Sequence, residues 1–407
     1  MTESAPRPSR AGFPLGASVT IADLAADPHP VLRRLREAEP VSWLPALGGW
    51  LVSRADLAGQ VLRDPARYTV DDPRFTTARV VGPSMLSLDG APHRHHRDPF
   101  ARALRAADTS TRLAAAAAGE ATRLVSVLAS SGSAAELRRG LAGPLAVAVM
   151  GDMLGLDAEP AQLLAWYDAI VAGVSAMSAS DEAAAGERGD LGRRVPATAT
   201  AAFGELTACV EAVLGHGGKD SVLTAAADQL AAGEIVSNAA VLLFGGIETT
   251  EGMICNAVWY LLRDRDALRQ VAADRSLIEG AIEESLRLEP AAAVVDRYAT
   301  AEVVLGAATI RPGDLVTVSL AGANRDPVTF AEPDRFDVHR SNARQHLAFA
   351  IGPHFCVGAQ LARLEATAAI AALLDQLPGL HLDPARPSAP QGLVFRKPPS
   401  LHVCWEP

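Results

Sequence analysis

The apolar positions of this chain recur mainly at helical spacing, and the longest such pattern sets the scale of the molecule. Glu234–Arg263, about thirty residues, is apolar on nearly all sides, as in a helix buried in a large core or crossing a membrane. Glu248 and Glu251 lie in its middle and no basic cluster flanks it, which favours the core. Gly245-Gly246 falls at its centre, where glycine weakens a helix and invites a kink. Thr109–Ser131 and Leu137–Leu156 are Ala-rich apolar helices suited to central packing. Further helices are predicted at Pro30–Ala38, Ala55–Leu62, Pro92–Ala106 and Ser276–Glu289, the last ended by Pro290. Two more fall within 158–214, a short one follows Gly215–Asp220 and extends to Ala232, and one spans Ala359–Gln376.

Alternating or β-rich runs are fewer. Val41–Ser53 holds two apolar runs around Pro45 and Gly48-Gly49, the pattern of a hairpin. Val294-Val295, Val303–Leu305, Thr309-Ile310 and Leu315–Ser319 form a second group, and Leu380–Leu382, Leu393–Arg396 and Leu401–Trp405 a terminal one. Residues 66–89 lack periodicity and read as a long loop, a feature that is usually functional in a compact domain. Ser178–Gly189 is rich in Gly, Ser and Asp and reads as mobile, and Gly215–Asp220 as a turn. The expected fold class is mainly α with minor β (α+β), with a flexible arm over 1–20 and a single domain over 21–407.

Composition narrows the function. With 407 residues, 49% of them hydrophobic, the chain can bury a large core. A net charge of -10 argues against nucleic acid as a partner. Cys209, Cys255, Cys356 and Cys404 are far apart, which fits neither a disulfide framework nor a paired-cysteine metal site. Met1–Gly16 is polar and Pro-rich, without an apolar signal or anchor. The expectation is a soluble, cytoplasmic protein with no membrane association.

Three constellations carry chemistry. Cys356 sits in a turn bracketed by Gly352 and Gly358, just before the helix Ala359–Gln376. The positive end of a helix favours a thiolate there, and turn N–H groups can donate to the sulfur. The bland alternative is a buried free cysteine; zinc at Cys356 and His354 would need further ligands at short spacing, and none is present. Glu248-Thr249 pairs a carboxylate with a hydroxyl in mid-helix, suited to relaying protons, although a threonine there can equally bond back to the preceding turn. Glu284 and Arg287 stand at i, i+3, which alone is an ordinary surface ion pair.

Phe349-Ala350-Ile351-Gly352-Pro353-His354-Phe355-Cys356-Val357-Gly358 resembles the haem-binding loop of the cytochromes P450, and the other motifs follow in that family's order. The loop departs at Ala350, where the family usually has glycine. Gly245-Gly246-Ile247-Glu248-Thr249-Thr250 resembles its oxygen-activation motif, departing at Gly245 and Glu248, where alanine and aspartate are commoner. Glu284, Arg287 and Arg335 resemble its Glu-Arg-Arg network, which secures the cysteine loop. His93-Arg-His-His-Arg97, Arg297 and His354 match its partners for the haem propionates.

The resemblance implies the triangular P450 fold, with haem b (iron protoporphyrin IX) between the long helix and the helix after the loop. Cys356 is the implied axial ligand, with Phe349 and Gly245 beside the cofactor, and Glu248 and Thr249 the implied proton-delivery pair. The implied activity is that of a soluble bacterial haem-thiolate monooxygenase, which uses O2 and two electrons to hydroxylate, epoxidise or dealkylate an apolar small molecule. A small aromatic or a natural-product intermediate is the expected substrate class. Electrons are expected from a ferredoxin and its NAD(P)H-dependent reductase, with Arg94, Arg102 and Arg105 as candidate contacts. Met85, Leu86, Val241, Leu242, Phe244, Val294, Val295 and Phe395 are the candidate pocket lining by motif alignment. The alternatives are a peroxide-driven peroxygenase and a non-catalytic haem-binding sensor.

Overall fold

The computed structural model describes residues 12–183, 195–215 and 221–406. Its axis is the helix Ala232–Arg263, whose N-terminus is closed by the Glu234 carboxylate accepting from Ala231 N–H at 2.9 Å. Its all-round apolar pattern is satisfied because helices cover it on several sides. Gly143–Leu154, Ala197–Gly215, Ile278–Leu288 and Ala359–Gln376 all pack on it. Gly246 sets one of these approaches: a Cβ there would lie 2.2 Å from Met150 Sδ. The helix continues through Gly245-Gly246 without a break in assignment.

Most expected elements are present, with their ends moved by a residue or two: His29–Ala38, Ala55–Arg63, Gly90–Arg105, Ala107–Ser131 and Ile278–Leu288 among them. The differences are local. Residues 66–89 are not one loop, because Tyr68–Thr69 adds a strand to the main sheet and Thr76–Val81 is a helix that buries Val80 and Val81. Six residues are too few to show helical periodicity. The expected helix Leu137–Leu156 opens as a π-helical turn, Arg138–Ala142, before Gly143–Leu154. The helix before the long one ends at Ala226, short of Ala232. Ser178–Gly189 is helical as far as Ala183, and its remainder, like most of Gly215–Asp220, lies outside the described residues.

Of the arm expected over 1–20, residues 1–11 lie outside the described residues, and the rest is packed. Pro14–Ser18 is a short helix, Phe13 meets Trp50 edge-on at 5.1 Å, and Leu15 and Gly16 N–H groups donate to the Glu39 carboxylate at 2.9 Å. Ala107–Ser131 and Ala197–Gly215 are long and apolar enough to cross a membrane. Here they lie against Ala359–Gln376 and Pro160–Ala183 respectively.

The five-stranded sheet has the order Val41–Leu44, Gly49–Val52, Leu315–Ser319, Val294–Ala299, Tyr68–Thr69. Gly49–Val52 runs parallel to Leu315–Ser319, and the other pairs are antiparallel. The register Val295↔Val318 and Arg297↔Val316 fixes the face that Arg297 presents. A smaller sheet joins Ala134–Glu136, His402–Cys404 and His381–Leu382. Between the sheets, the Ala292↔Phe395 bridge holds the C-terminal loop against the chain leading into Val294–Ala299.

Candidate active site around a single cysteine

The cysteine loop is anchored at both ends by backbone. Cys356 N–H donates to Phe349 O at 2.9 Å, and a Cβ on Gly352 (φ 78°) would sit 2.5 Å from Leu62 O. Glycine is therefore required at 352 on two counts. Ala350 also has a positive φ, 53°, a conformation that costs an L-residue about 1–2 kcal/mol. The residue that departs from the family pattern thus adopts a glycine conformation and carries its strain.

Burial pushes the Cys356 thiol up, against the opposing pull of Gly358 N–H, Arg97 and Arg363. Arg97 donates to Phe355 O. Arg363 lies over the Phe349 ring at 4.6 Å and pairs with Glu283, which also meets His346 at 3.1 Å. Phe349 is therefore held under the loop by a cation on its face.

Facing the loop is a row of donors. His93 is 3% exposed, and its Nε2 has no partner. Burial first, then the positive neighbours His354 and Arg97, push His93 down to about 4. The His93 and His354 rings are 4.3 Å apart. His354 Nε2 is engaged by Asp89 Oδ1 at 2.9 Å, which leaves its Nδ1 as the free ring nitrogen. Asp89 also accepts from Thr69 Oγ1 at 2.7 Å and Val70 N–H at 2.9 Å. Burial opposes its ionisation, but the bonds from His354, Thr69 and Val70 prevail and hold it down at about 2. Arg297 is buried and donates to Asp296 O at 2.7 Å.

Across the cleft stands the long helix. Val241, Gly245 and Thr249 share one face by i, i+4 spacing. A Cβ at Gly245 would meet nothing within 4 Å, so this face borders open space. Thr249 Oγ1 donates to Gly245 O at 2.6 Å, the back-bond weighed against a proton-delivery role. Phe244 and Glu248 share the next face and both reach the C-terminal loop. The Phe244 and Phe395 rings meet edge-on at 5.5 Å, and Glu248 Oε1 is 2.8 Å from Lys397 Nζ.

Leu242 lies on the face of Gly246, toward Met150. Met85 N–H donates to Asn238 Oδ1 at 2.9 Å, which ties Met85 and the half-buried Leu86 to the long helix. Val294 and Val295 are adjacent in a strand, so their side chains point to opposite faces; Val295 shares the face of Arg297.

The Glu-Arg-Arg expectation needs one correction. Glu284 and Arg287 form a fully buried bidentate pair at 2.7 and 2.8 Å. The second arginine is Arg340, with Nε 2.8 Å from Glu284 Oε1. Arg335 is 61% exposed at its side chain and pairs with Glu332; it contributes its carbonyl, which accepts from Arg287 and Arg340. The meander turns after Arg335 so that Asp337 N–H and the Arg340 guanidinium come back to Glu284.

Asp89, Asn238, Arg340 and Lys397 are the site residues that sequence reasoning missed. Lys397 did leave a signal: among the 37 lysines and arginines only Lys219 and Lys397 are lysine. Among the described residues no group of three or more His, Cys, Asp or Glu side chains is arranged to hold a metal ion.

Comparison with known proteins agrees with this architecture. Residues 219–405 match the family model described as Cytochrome P450. The chain is 35% identical to the cytochrome P450 monooxygenase PikC of Streptomyces venezuelae over 89% of this chain and 86% of that protein. It is 34% identical to the mycinamicin IV hydroxylase/epoxidase of Micromonospora griseorubida, over 91% and 94%. The crystal structure of CalO2 superposes with a TM-score of 0.83 at 29% identity, covering 95% of this chain and 99% of that one. A cysteine loop facing a row of buried donors, in a fold shared along nearly its whole length with these enzymes, makes this chain a member of the cytochrome P450 family and a monooxygenase.

Proposed function

We propose that this enzyme inserts one atom of O2 into an apolar natural-product scaffold, using haem b held by Cys356 and electrons from a ferredoxin. The observation that carries the assignment of the site is the donor row. His93 Nε2 is buried without a partner, and neither Arg97 nor Arg297 has a carboxylate in ion-pair contact among the described residues. Buried cationic and donor groups left this way are costly unless an anion joins them. The two carboxylates of a haem would supply that anion, and the long helix is open at Gly245, where a Cβ would meet nothing within 4 Å. His93, Arg97 and Arg297 would hold the carboxylates, assisted by His354, and Phe349 would lie beneath the ring.

Bound there, the haem iron supplies the binding and activation of dioxygen. The chain supplies the rest. Gly358 N–H, Arg97 and Arg363 favour the sulfur as a thiolate once the metal replaces its proton. Glu248 would pass protons inward, and the Thr249 hydroxyl, which here donates to Gly245 O, would be the group that hands them on. Val241, Phe244, Val295, Phe395 and Met85 present apolar surface to the substrate and exclude water. The balance is one substrate C–H, one O2, two electrons and two protons giving one C–OH and one water.

The relatives' names support the substrate class: one acts as a hydroxylase/epoxidase on mycinamicin IV. The exposed Arg94, Arg102 and Arg105 lie on the helix that carries Arg97 and suit an acidic electron donor. Cytoplasmic location follows from the same dependence on soluble electron carriers.

The test is turnover of the haem-loaded protein with ferredoxin, reductase and a panel of macrolides, terpenoids and small aromatic ethers under 18O2. One labelled oxygen in the product is the expected result. Label absent from every product, or product formed equally well from peroxide without the electron carriers, would contradict the proposal.

A further inference from the structure

We propose that Lys397 is a positioning residue for proton delivery: it holds the Glu248 carboxylate and, through Phe395 two residues away, ties that acid to the occupant of the pocket. This rests on the assignment of Glu248 as the delivering acid.

Lys397 Nζ lies 2.8 Å from Glu248 Oε1 and 3.2 Å from Glu251 Oε1, with its side chain 10% exposed. The two glutamates are one turn apart on the long helix, and one ammonium spans both. Their other partners differ. Glu251 also meets Arg138 and, at 3.9 Å, Arg139. Glu248 has Lys397 as its only ion-pair partner among the described residues. The remaining titratable groups around the cluster are Glu136 and Cys255, and burial pushes the Cys255 thiol so far up that it stays neutral.

The backbone beside Lys397 is fixed to the same helix. Asn256 Nδ2 donates to Arg396 O at 2.9 Å, and a Cβ at Gly252 would be in ordinary van der Waals contact with Lys397 Cβ, at 3.6 Å. Arg396 is buried and donates to Glu289 at 2.6 Å and to the carbonyls of Ala25, Gly392 and Pro390. Three consecutive residues therefore reach the pocket aromatic Phe244, the structural anchor Glu289 and the acid Glu248. Because the anchored Arg396 fixes the backbone between them, the placement of Phe395 against the pocket and that of Lys397 against Glu248 are set together.

The residue type fits this role. In a chain that uses arginine almost everywhere, a lysine is retained where one point charge must touch two carboxylates. An arginine fork grips one carboxylate through two bonds; an ammonium can release Glu248 and keep Glu251.

The same two-lysine composition makes the test direct. Haem-loaded protein carrying 13Cε-lysine gives two side-chain signals, assigned with Lys397→Met. Glu248→Gln is expected to move the Lys397 signal and leave that of Lys219 in place, and saturation with naphthalene, an aryl probe without an iron-ligating nitrogen, is expected to do the same. In ferredoxin-supported O2 consumption, Lys397→Met is expected to lower the rate, and Lys397→Arg to recover it only in part, because the guanidinium fork grips one carboxylate. A Lys397 signal that responds to neither perturbation, or an undiminished rate in Lys397→Met while Glu248→Gln slows consumption, overturns this inference alone. Undiminished consumption in Glu248→Gln overturns the role of Glu248 and this inference with it.

Discussion

Replacing Arg340 by alanine tests the buried network more sharply than any other single change. Glu284 is fully buried, with Arg287 on one side and Arg340 on the other. Arg340→Ala removes one of two cations from a buried carboxylate. Outright loss of a buried ion-pair partner costs about 3–5 kcal/mol, and the bidentate Arg287 that remains reduces this toward the lower end. The change also takes one donor from the carbonyls of Ala331, Glu332 and Arg335, which accept from Arg340 at 2.6, 3.2 and 3.2 Å; Glu332 O keeps Arg335 N–H and Arg335 O keeps Arg287. Those oxygens lie near the surface, where water replaces much of what is lost, so they add about 1 kcal/mol in total.

The expected destabilisation is therefore about 3–4 kcal/mol, with faster haem loss because the meander 331–340 leads into the cysteine loop. Arg335→Ala breaks only the exposed pair with Glu332, worth well under 1 kcal/mol. Urea unfolding followed by circular dichroism, with haem retention followed by absorbance, measures both variants. Equal losses, or a larger loss for Arg335→Ala, would refute the assignment of Arg340 as the second arginine.

Other predictions follow from single observations. Ala350→Gly relieves about 1–2 kcal/mol of left-handed strain but gains unfolded-chain entropy worth about 0.4–1 kcal/mol, so thermal unfolding should shift slightly upward. Gly246→Ala meets Met150 and should cost about 1–3 kcal/mol as an overpacked core position, whereas Gly245→Ala, whose Cβ meets nothing within 4 Å, should leave stability nearly unchanged. Burial opposes the charge of Glu289, yet His29, Arg396 and Arg325 hold it down at about 2, against an ordinary 4.5. Its folded value is lowered, so its contribution is complete above about pH 4.5 and is lost as pH falls toward 2. Glu289→Gln should flatten the acid limb of the stability-versus-pH curve over that window.

The parts of this account that were legible in the sequence are those fixed by local spacing. The cysteine turn before Ala359–Gln376, the all-round apolar helix and the Glu284–Arg287 pair each lie within one element or its boundary. What was missed depends on chain reversals. Arg335 and Arg340 both lie within reach of Glu284 by sequence order, and only the turn of the meander decides between them. Asp89 occupies a helix N-cap position, but its oxygens go to Thr69, Val70 and His354 instead of the first helical N–H groups. Lys397 meets Glu248 across about 150 residues, a contact that no periodicity encodes. The helix Thr76–Val81 was hidden because it is shorter than the window in which a period can be seen.

The central claim is that Cys356, among four free cysteines, is the thiolate that binds haem iron. The most direct test is the carbon monoxide difference spectrum of the reduced, haem-loaded protein and of its single cysteine-to-serine variants. The red-shifted Soret band of a thiolate-ligated haem is expected in the parent and in the Cys209, Cys255 and Cys404 variants, and its loss in Cys356→Ser alone. Persistence of that band in Cys356→Ser would contradict the claim.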